Sequence, residues 1–156
     1  MFGTLSPEEI EKVPEREIIC RLGCHADDTT YVVPISYAYD GAYIYGHTSE
    51  GMETNMLRKN PNVCFQVDCM RNMANWQSVI AWGEYEELPG GIERNRALHH
   101  LNDRILPILT SKTVQLTPQW PFPSIDFESV KGVVYRIRIH KKSGRFESNT
   151  ESFGIG

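Results

Sequence analysis

The chain has 156 residues, of which 40% are hydrophobic and 23% charged, and its formal net charge is −4. That length suits a single domain over residues 1–156 with its own core, and that composition excludes a disordered chain. The acidic balance speaks against a sequence-independent grip on nucleic acid, which needs a dense cationic surface.

The first residues show no basic segment followed by an apolar run, so no secretory signal is expected. No stretch is long and apolar enough for a membrane span. The expectation is a cytoplasmic protein that keeps Cys20, Cys24, Cys64 and Cys69 as reduced thiols. Ser6-Pro7-Glu8-Glu9 reads as a helix start: Ser6 caps, Pro7 fits the first turn and Glu9 closes a capping box. Pro14 ends that helix or follows its end. Residues 17–25 read as a strand, and Ala26-Asp27-Asp28 as a turn. Residues 30–39 and 42–47 alternate aromatic and β-branched side chains, which predicts a hairpin around Asp40-Gly41. A Ser/Thr/Gly-rich loop leads into a helix over 51–59, with Met52, Met56 and Leu57 on one side and Asn60-Pro61 as its stop.

Residues 63–69 alternate as a strand. A polar connector, 71–75, precedes a long strand over 76–87 with a bend at Gly83. An amphipathic helix follows over 92–105, turning Ile92, Leu98, Leu101 and Ile105 to the core. Residues 107–127 carry four prolines with Trp120 and Phe122, the composition of a lid, a partner-binding arm or a poorly ordered connection. The last strand covers 131–140, and the tail from about 146 is polar. The sum is a mainly β chain of six strands with flanking helices. The strands follow one another through short turns without βαβ alternation, which favours an antiparallel sheet curled into a Greek-key-like barrel.

No residue cluster spells out acyl or phosphoryl transfer, since GxSxG and Walker patterns are both missing. The thiols sit inside predicted strands rather than at metal-knuckle turns, so they read as small hydrophobes. His99-His100 points in two directions on a helix and lacks metal-pair spacing. Glu84, Glu86 and Glu87 read as a solvated strand end, and Arg136, Arg138, Lys141, Lys142 and Arg145 as the wet face of a strand. The loop Gly46-His47-Thr48-Ser49-Glu50-Gly51 stands before a helix start. There, unsatisfied N–H groups serve either as an ordinary cap or as an anion site.

Three stretches carry a resemblance. They are Tyr31-Val32-Val33-Pro34-Ile35-Ser36-Tyr37-Ala38-Tyr39, then His47-Thr48-Ser49-Glu50-Gly51-Met52, then Met56 through Asp68. With Asn75-Trp76-Gln77-Ser78 and Gly144-Arg145-Phe146-Glu147 downstream, the chain resembles the pyridoxamine 5′-phosphate oxidase-related, FMN-binding split-barrel family. Within it, the likeness is to the branch of the nitroimidazole-resistance proteins. The resemblance implies a split β-barrel homodimer with FMN in a cleft at the subunit interface. It implies that Val33, Pro34, Ile35 and Ser36 line the isoalloxazine. His47, Thr48, Ser49, Gly51 and Met52 would surround the ribityl-phosphate end. Trp76, Gln77 and Ser78 would complete the cleft, from the partner subunit.

The function implied is electron transfer from a reduced nicotinamide cofactor to a small acceptor, with His47 as the candidate proton donor. One position departs from the family pattern. Relatives place a lysine two residues after the glycine, to pair the FMN phosphate, where this chain has Glu53. At ~4 Å and an effective dielectric of ~20, such a carboxylate would oppose a phosphate by roughly 4 kcal/mol per unit charge. Weakened FMN binding, help from Arg58 or Lys59, or loss of FMN are the outcomes that follow. The alternative function is a non-catalytic binder of flavin or haem against Trp76, Trp82 or Trp120.

Overall fold

The computed structural model describes residues 1–105 and 127–149. Ser6 and Glu9 form the expected capping box: the Glu9 N–H donates to Ser6 Oγ at 3.2 Å, and the Ser6 N–H to Glu9 Oε1 at 3.0 Å. The helix they open, α1, spans Pro7–Arg16 and runs two residues past Pro14. Proline costs a helix one backbone donor and strains the preceding turn, a loss the helix tolerates this close to its end. The Pro14 carbonyl instead accepts the buried Tyr37 hydroxyl at 2.7 Å.

One sheet organises the chain. Its strands are β1 (Phe2–Thr4), β2 (Ile19–Ala26), β3 (Thr29–Ser36), β4 (Ala38–Tyr39), β5 (Tyr43–Thr48), β6 (Asn62–Asn72), β7 (Asn75–Glu87) and β8 (Val133–Glu147). All pairings are antiparallel, in the order β3-β2-β6-β7-β8-β5-β4, with β1 on β8. Among the described residues, eight strands therefore replace the six expected. The three-residue β1 is too short to announce itself by alternation. It pairs with Arg145, Phe146 and Glu147, so β8 reaches into the stretch expected to be a polar tail.

The predicted hairpin of 30–39 with 42–47 is corrected. Asp27 and Asp28 both adopt positive φ, 51° and 58°, the conformation of a tight hairpin turn. That turn folds β3 back on β2 along its whole length, from Ala26↔Thr29 to Ile19↔Ser36. Only Ala38 and Tyr39 pair with β5. The Asp40-Gly41 turn does form. Asp40 Oδ1 accepts the N–H groups of Ala42 and Tyr43 at 2.9 and 2.7 Å, and Gly41 has φ 96°.

The two ends of the sheet, β3 and β4, are separated in the chain by Tyr37 alone. The sheet thus curls until its edges meet at that residue and diverge beyond it, which makes a split barrel that hydrogen bonds do not close. Helix α2 (Met52–Lys59) packs against β2, with Thr54, Met56 and Leu57 buried. Met52, expected beside Met56 and Leu57, is 55% exposed. The interior holds Leu22, Phe65, Val67, Val79, Tyr135 and Ile137, with Val13 of α1 completing it.

Helix α3 (Gly91–Ile105) covers the outside of β4, β5 and β8, through Ala97, Leu98 and Leu101 against Tyr45 and Val134. Ile92, expected in that core, is 76% exposed, because the buried face of α3 begins at Arg94. The expected bend at Gly83 is present. The β7–β8 register shifts there, and a Cβ on Gly83 would lie 2.4 Å from the Arg138 carbonyl oxygen. Glu84, Arg138, Lys141 and Arg145 keep the solvated setting expected of them, and the acidic and basic residues also pair across the strands. The register sets Glu84 opposite Arg138 and Glu86 opposite Arg136, and their side chains meet at 3.1 and 2.7 Å. The proline-rich segment with Trp120, and the last seven residues, lie outside the described residues.

Candidate functional site

Two of the three predicted groups lie on the strands to either side of the seam and in the loop after β5. β4 pairs with β5 as Ala38↔Tyr45 and Tyr39↔Ile44. Carried back along the chain, that register would set Ser36 against His47 and Pro34 against Ser49, but no ladder forms between β3 and β5. Side chains alternate along β3. Val33 and Ile35 turn inward and pack on the core, while Pro34 and Ser36 are exposed. A ligand outside the seam would meet Pro34 and Ser36 by side chain, and Val33 and Ile35 by backbone alone.

Across the seam, Thr48 is half-buried, and Ser49, Gly51 and Met52 are exposed. Gly51 precedes α2 with an extended φ of 173°, gives its helix no side-chain cap, and has nothing within 4 Å of where a Cβ would stand. Among the described residues, no side chain of the N-cap bonds the first-turn N–H groups of α2. The buried Thr54 holds this corner in shape: its Oγ1 accepts the Gly51 N–H at 3.0 Å.

His47 is held more tightly than a free acid would be. Its Nε2 lies 2.5 Å from the Lys131 carbonyl, and Gly132, at φ 92°, lets the chain pass so close that a Cβ there would lie 3.0 Å from the ring. Burial lowers its pKa below the ordinary histidine value, opposed by the bond to Lys131 and aided by the charge of Arg94. A neutral ring follows, with Nε2–H donating to a carbonyl. That geometry orients the loop rather than supplying a proton from Nε2.

Glu53 does not stand where charge repulsion was expected. Its Oε1 is buried without a hydrogen-bond partner, and burial holds the carboxyl above the usual carboxylate range. Its charge is felt by groups lining the interior: after burial itself, it is the next cause raising the pKa values of Cys24 and Tyr135. The carboxyl thus faces the barrel and not the open turn of α2. The two cations expected to help are already engaged. Arg58 makes a bidentate pair with Glu50, both contacts at 2.7 Å, and a third at 2.5 Å with Glu87. Lys59 pairs with Asp27 at 2.5 Å.

The third predicted group lies elsewhere on the subunit. Trp76, Gln77 and Ser78 open β7, and β2 and β6 stand between that strand and β3. Three strand spacings amount to roughly 14 Å. Trp76 donates its indole N–H to Glu147 Oε2 at 3.0 Å, Ser78 Oγ accepts from Gln66 at 3.0 Å, and Gln77 Oε1 accepts from Arg16 at 2.9 Å.

Between these groups the outer sheet face is apolar at its centre. Register sets Val32, Gly23, Cys64 and Trp82 in one row and Pro34, Arg21, Gln66 and Ile80 in the next. Val32 is 64% and Trp82 40% exposed. A groove of about 390 Å³ runs through the first row. Sequence reasoning named Trp82 as a ligand wall but passed over Val32 and Ile80; their outward phase was readable from period-two alternation once the strands were assigned.

The sequence profile of the family described as pyridoxamine 5′-phosphate oxidase matches residues 6–146. An uncharacterised protein of Rhizobium meliloti is 32% identical over 116 residues, covering 74% of this chain and 71% of that protein. The crystal structure of a FAD-binding protein from Mesorhizobium loti is 32% identical. It superposes with a TM-score of 0.75 over 95% of this chain and 99% of its own. A candidate 5-nitroimidazole antibiotic resistance protein from Bacteroides thetaiotaomicron shares the fold, with a TM-score of 0.71 at 18% identity over 94% of this chain and 87% of its own.

Proposed function

The chain belongs to the pyridoxamine 5′-phosphate oxidase family, and on that premise we propose that it is a homodimeric flavoprotein holding FMN in the seam between β3 and β5. The observation that carries this reading is the open seam itself, with Pro34, Ser36 and Ser49 exposed along it and the uncapped first turn of α2 at its end. The relative described as FAD-binding, similar over nearly its whole length, supports a flavin. FMN is the form proposed because the seam ends on one helix N-terminus, which suits one phosphate group.

The residues fit this group unevenly. Pro34 and Ser36 offer a flat edge to a ring system, and Thr48 and Ser49 offer hydroxyls to a polyol chain. Among the described residues Arg58 and Lys59 are already paired with carboxylates, so the first-turn N–H groups of α2 are the donors proposed for the phosphate. When bound, the flavin would supply the redox chemistry, taking a hydride from a reduced nicotinamide and passing electrons to a small acceptor. The chain's own part is to bind, orient and exclude water. Val32, Ile80 and Trp82 suit the face that meets the second copy. A two-fold contact there would carry Trp76 and Ser78 of one subunit toward Pro34 of the other.

A second reading, a flavin binder without turnover, is favoured by one observation. His47, the titratable ring in the predicted set, is neutral and tied to the Lys131 carbonyl. Anaerobic addition of NADH and NADPH to the FMN-loaded protein separates the two. Bleaching of the flavin band within seconds is expected of the oxidoreductase. A band that persists, with flavin still bound, assigns the binder.

A further inference from the structure

A cavity of about 700 Å³ opens between the start of α3 and the start of β8. Among the described residues that line it, none belongs to the set that the resemblance assigns to flavin. Its charges fall into two groups. Glu50 and Glu87 hold Arg58 between them, through contacts of 2.7 and 2.5 Å. Two carboxylates against one guanidinium leave that wall with one negative charge in excess. On the other wall, Arg94 donates to the carbonyls of Phe127 and Val130, both at 2.7 Å, which brings it beside Glu128 and Lys131. Two cations against one carboxylate leave that wall with one positive charge in excess.

Arg94 is the telling member of this set, because it is only 8% exposed. The two carbonyls fix its guanidinium in place but do not cancel its charge, and a buried charge without a counter-charge is costly. No carboxylate pairs with Arg94 or Lys131 among the described residues. Two of the five guanidinium N–H donors are used on the carbonyls, and three remain.

We propose that this cavity binds a small zwitterion, its carboxylate between Arg94 and Lys131 and its ammonium toward Glu50 and Glu87. A carboxylate is the counter-charge that the buried guanidinium lacks, and it is taken through charge-assisted hydrogen bonds. A second negative charge would meet the acidic excess at Glu50 and Glu87, whereas an ammonium is attracted there. The volume lies within the range of about 300–1,000 Å³ usual for small-molecule sites. The site stands whether or not flavin binds, since the two sets share no residue.

Calorimetric titration of the purified full chain with 6-aminohexanoate, hexanoate and hexylamine tests the proposal. The three share one carbon chain and differ in charge. The zwitterion should bind roughly tenfold more tightly than either analogue, the effect of one hydrogen-bonded charge. Lys131→Ala should weaken its binding several-fold, while keeping the backbone carbonyl that holds His47. Glu128→Gln removes the opposing carboxylate and should strengthen it. Both side chains are exposed, so the fold persists in each variant, which circular dichroism would verify. Failure of the zwitterion to bind wild type at millimolar concentration would overturn the proposal. So would equal affinity for a singly charged analogue, or an unchanged affinity in Lys131→Ala.

Discussion

Glu53 shows how one side chain changes meaning between a sequence and a fold. Read along the chain, it replaces a phosphate-pairing lysine and predicts repulsion. In three dimensions its Oε1 is buried and unpartnered inside the barrel. The consequence is a pH dependence of known sign. Burial raises the folded-state pKa above the unfolded value, so the folded chain holds this proton more tightly. The stability it contributes is full below the unfolded pKa of about 4.3 and is lost as pH rises through the folded value. Glu53→Gln keeps the neutral form at every pH. It should therefore raise the melting temperature at pH 8, by ~1 kcal/mol of stability for a partly exposed group, and converge on wild type near pH 4. Because the carboxyl faces away from the seam, the same variant should leave FMN affinity within about twofold. A large, salt-sensitive gain would show that Glu53 does oppose the phosphate.

Glycine sets a second residue-scale constraint. The Tyr135 ring lies so close over Gly46 that an added Cβ would stand 2.4 Å from the tyrosine hydroxyl. Tyr135 is fully buried and cannot give way toward solvent. Gly46→Ala should cost about 1–3 kcal/mol by overpacking, measured by urea denaturation. Neither constraint was visible in sequence, where Gly46 reads as a loop residue and Glu53 as a carboxylate in place of a lysine. Both depend on which face of an element turns inward, and strand and helix phase alone leave that open until the partners are known.

At the scale of elements, local signals carried far and pairing did not. The capping box at Ser6 and Glu9, the bend at Gly83 and the stop at Asn60-Pro61 are backbone chemistry, written in a few adjacent residues, and all are present. The partner of β3 is a longer-range choice. Asp27-Asp28 and Asp40-Gly41 are both competent turns, and the first won a full-length ladder while the second won two residue pairs. That outcome opens the seam, since a β3–β5 hairpin would have sealed it. Helix α2 packs on β2 through Met56 and Leu57. Leu57→Ala should cost about 2–5 kcal/mol and loosen the His47–Met52 corner. The checks are the denaturation midpoint and faster exchange of the α2 amides.

At the scale of the molecule, the outer sheet face asks for cover. Val32 on β3 and Ile80 and Trp82 on β7 are exposed on one face, with Arg21 in the row of Ile80 and Lys141 over the Trp82 ring. A second copy is the occupant consistent with the proposed dimer. Ile80→Glu should shift the protein to monomers in light scattering while far-ultraviolet circular dichroism is unchanged. It should also weaken flavin binding, because Trp76 and Ser78 lie some three strands from Pro34 within one subunit. The family resemblance foresaw the split barrel. It did not foresee that Arg58 and Lys59 would be paired to carboxylates, or that Arg94 would be buried without a carboxylate partner among the described residues. These are tertiary facts that spacing does not encode.

The central claim is that flavin lies in the β3–β5 seam, and the most direct measurement is an FMN fluorescence titration of wild type alongside Ser36→Tyr. Ser36 is exposed on the seam edge, so the larger ring would fill the site without touching the core. The account predicts saturable quenching at one FMN per chain in wild type and its loss in a folded Ser36→Tyr protein. Absence of quenching in wild type, or identical curves for the two proteins, would contradict it.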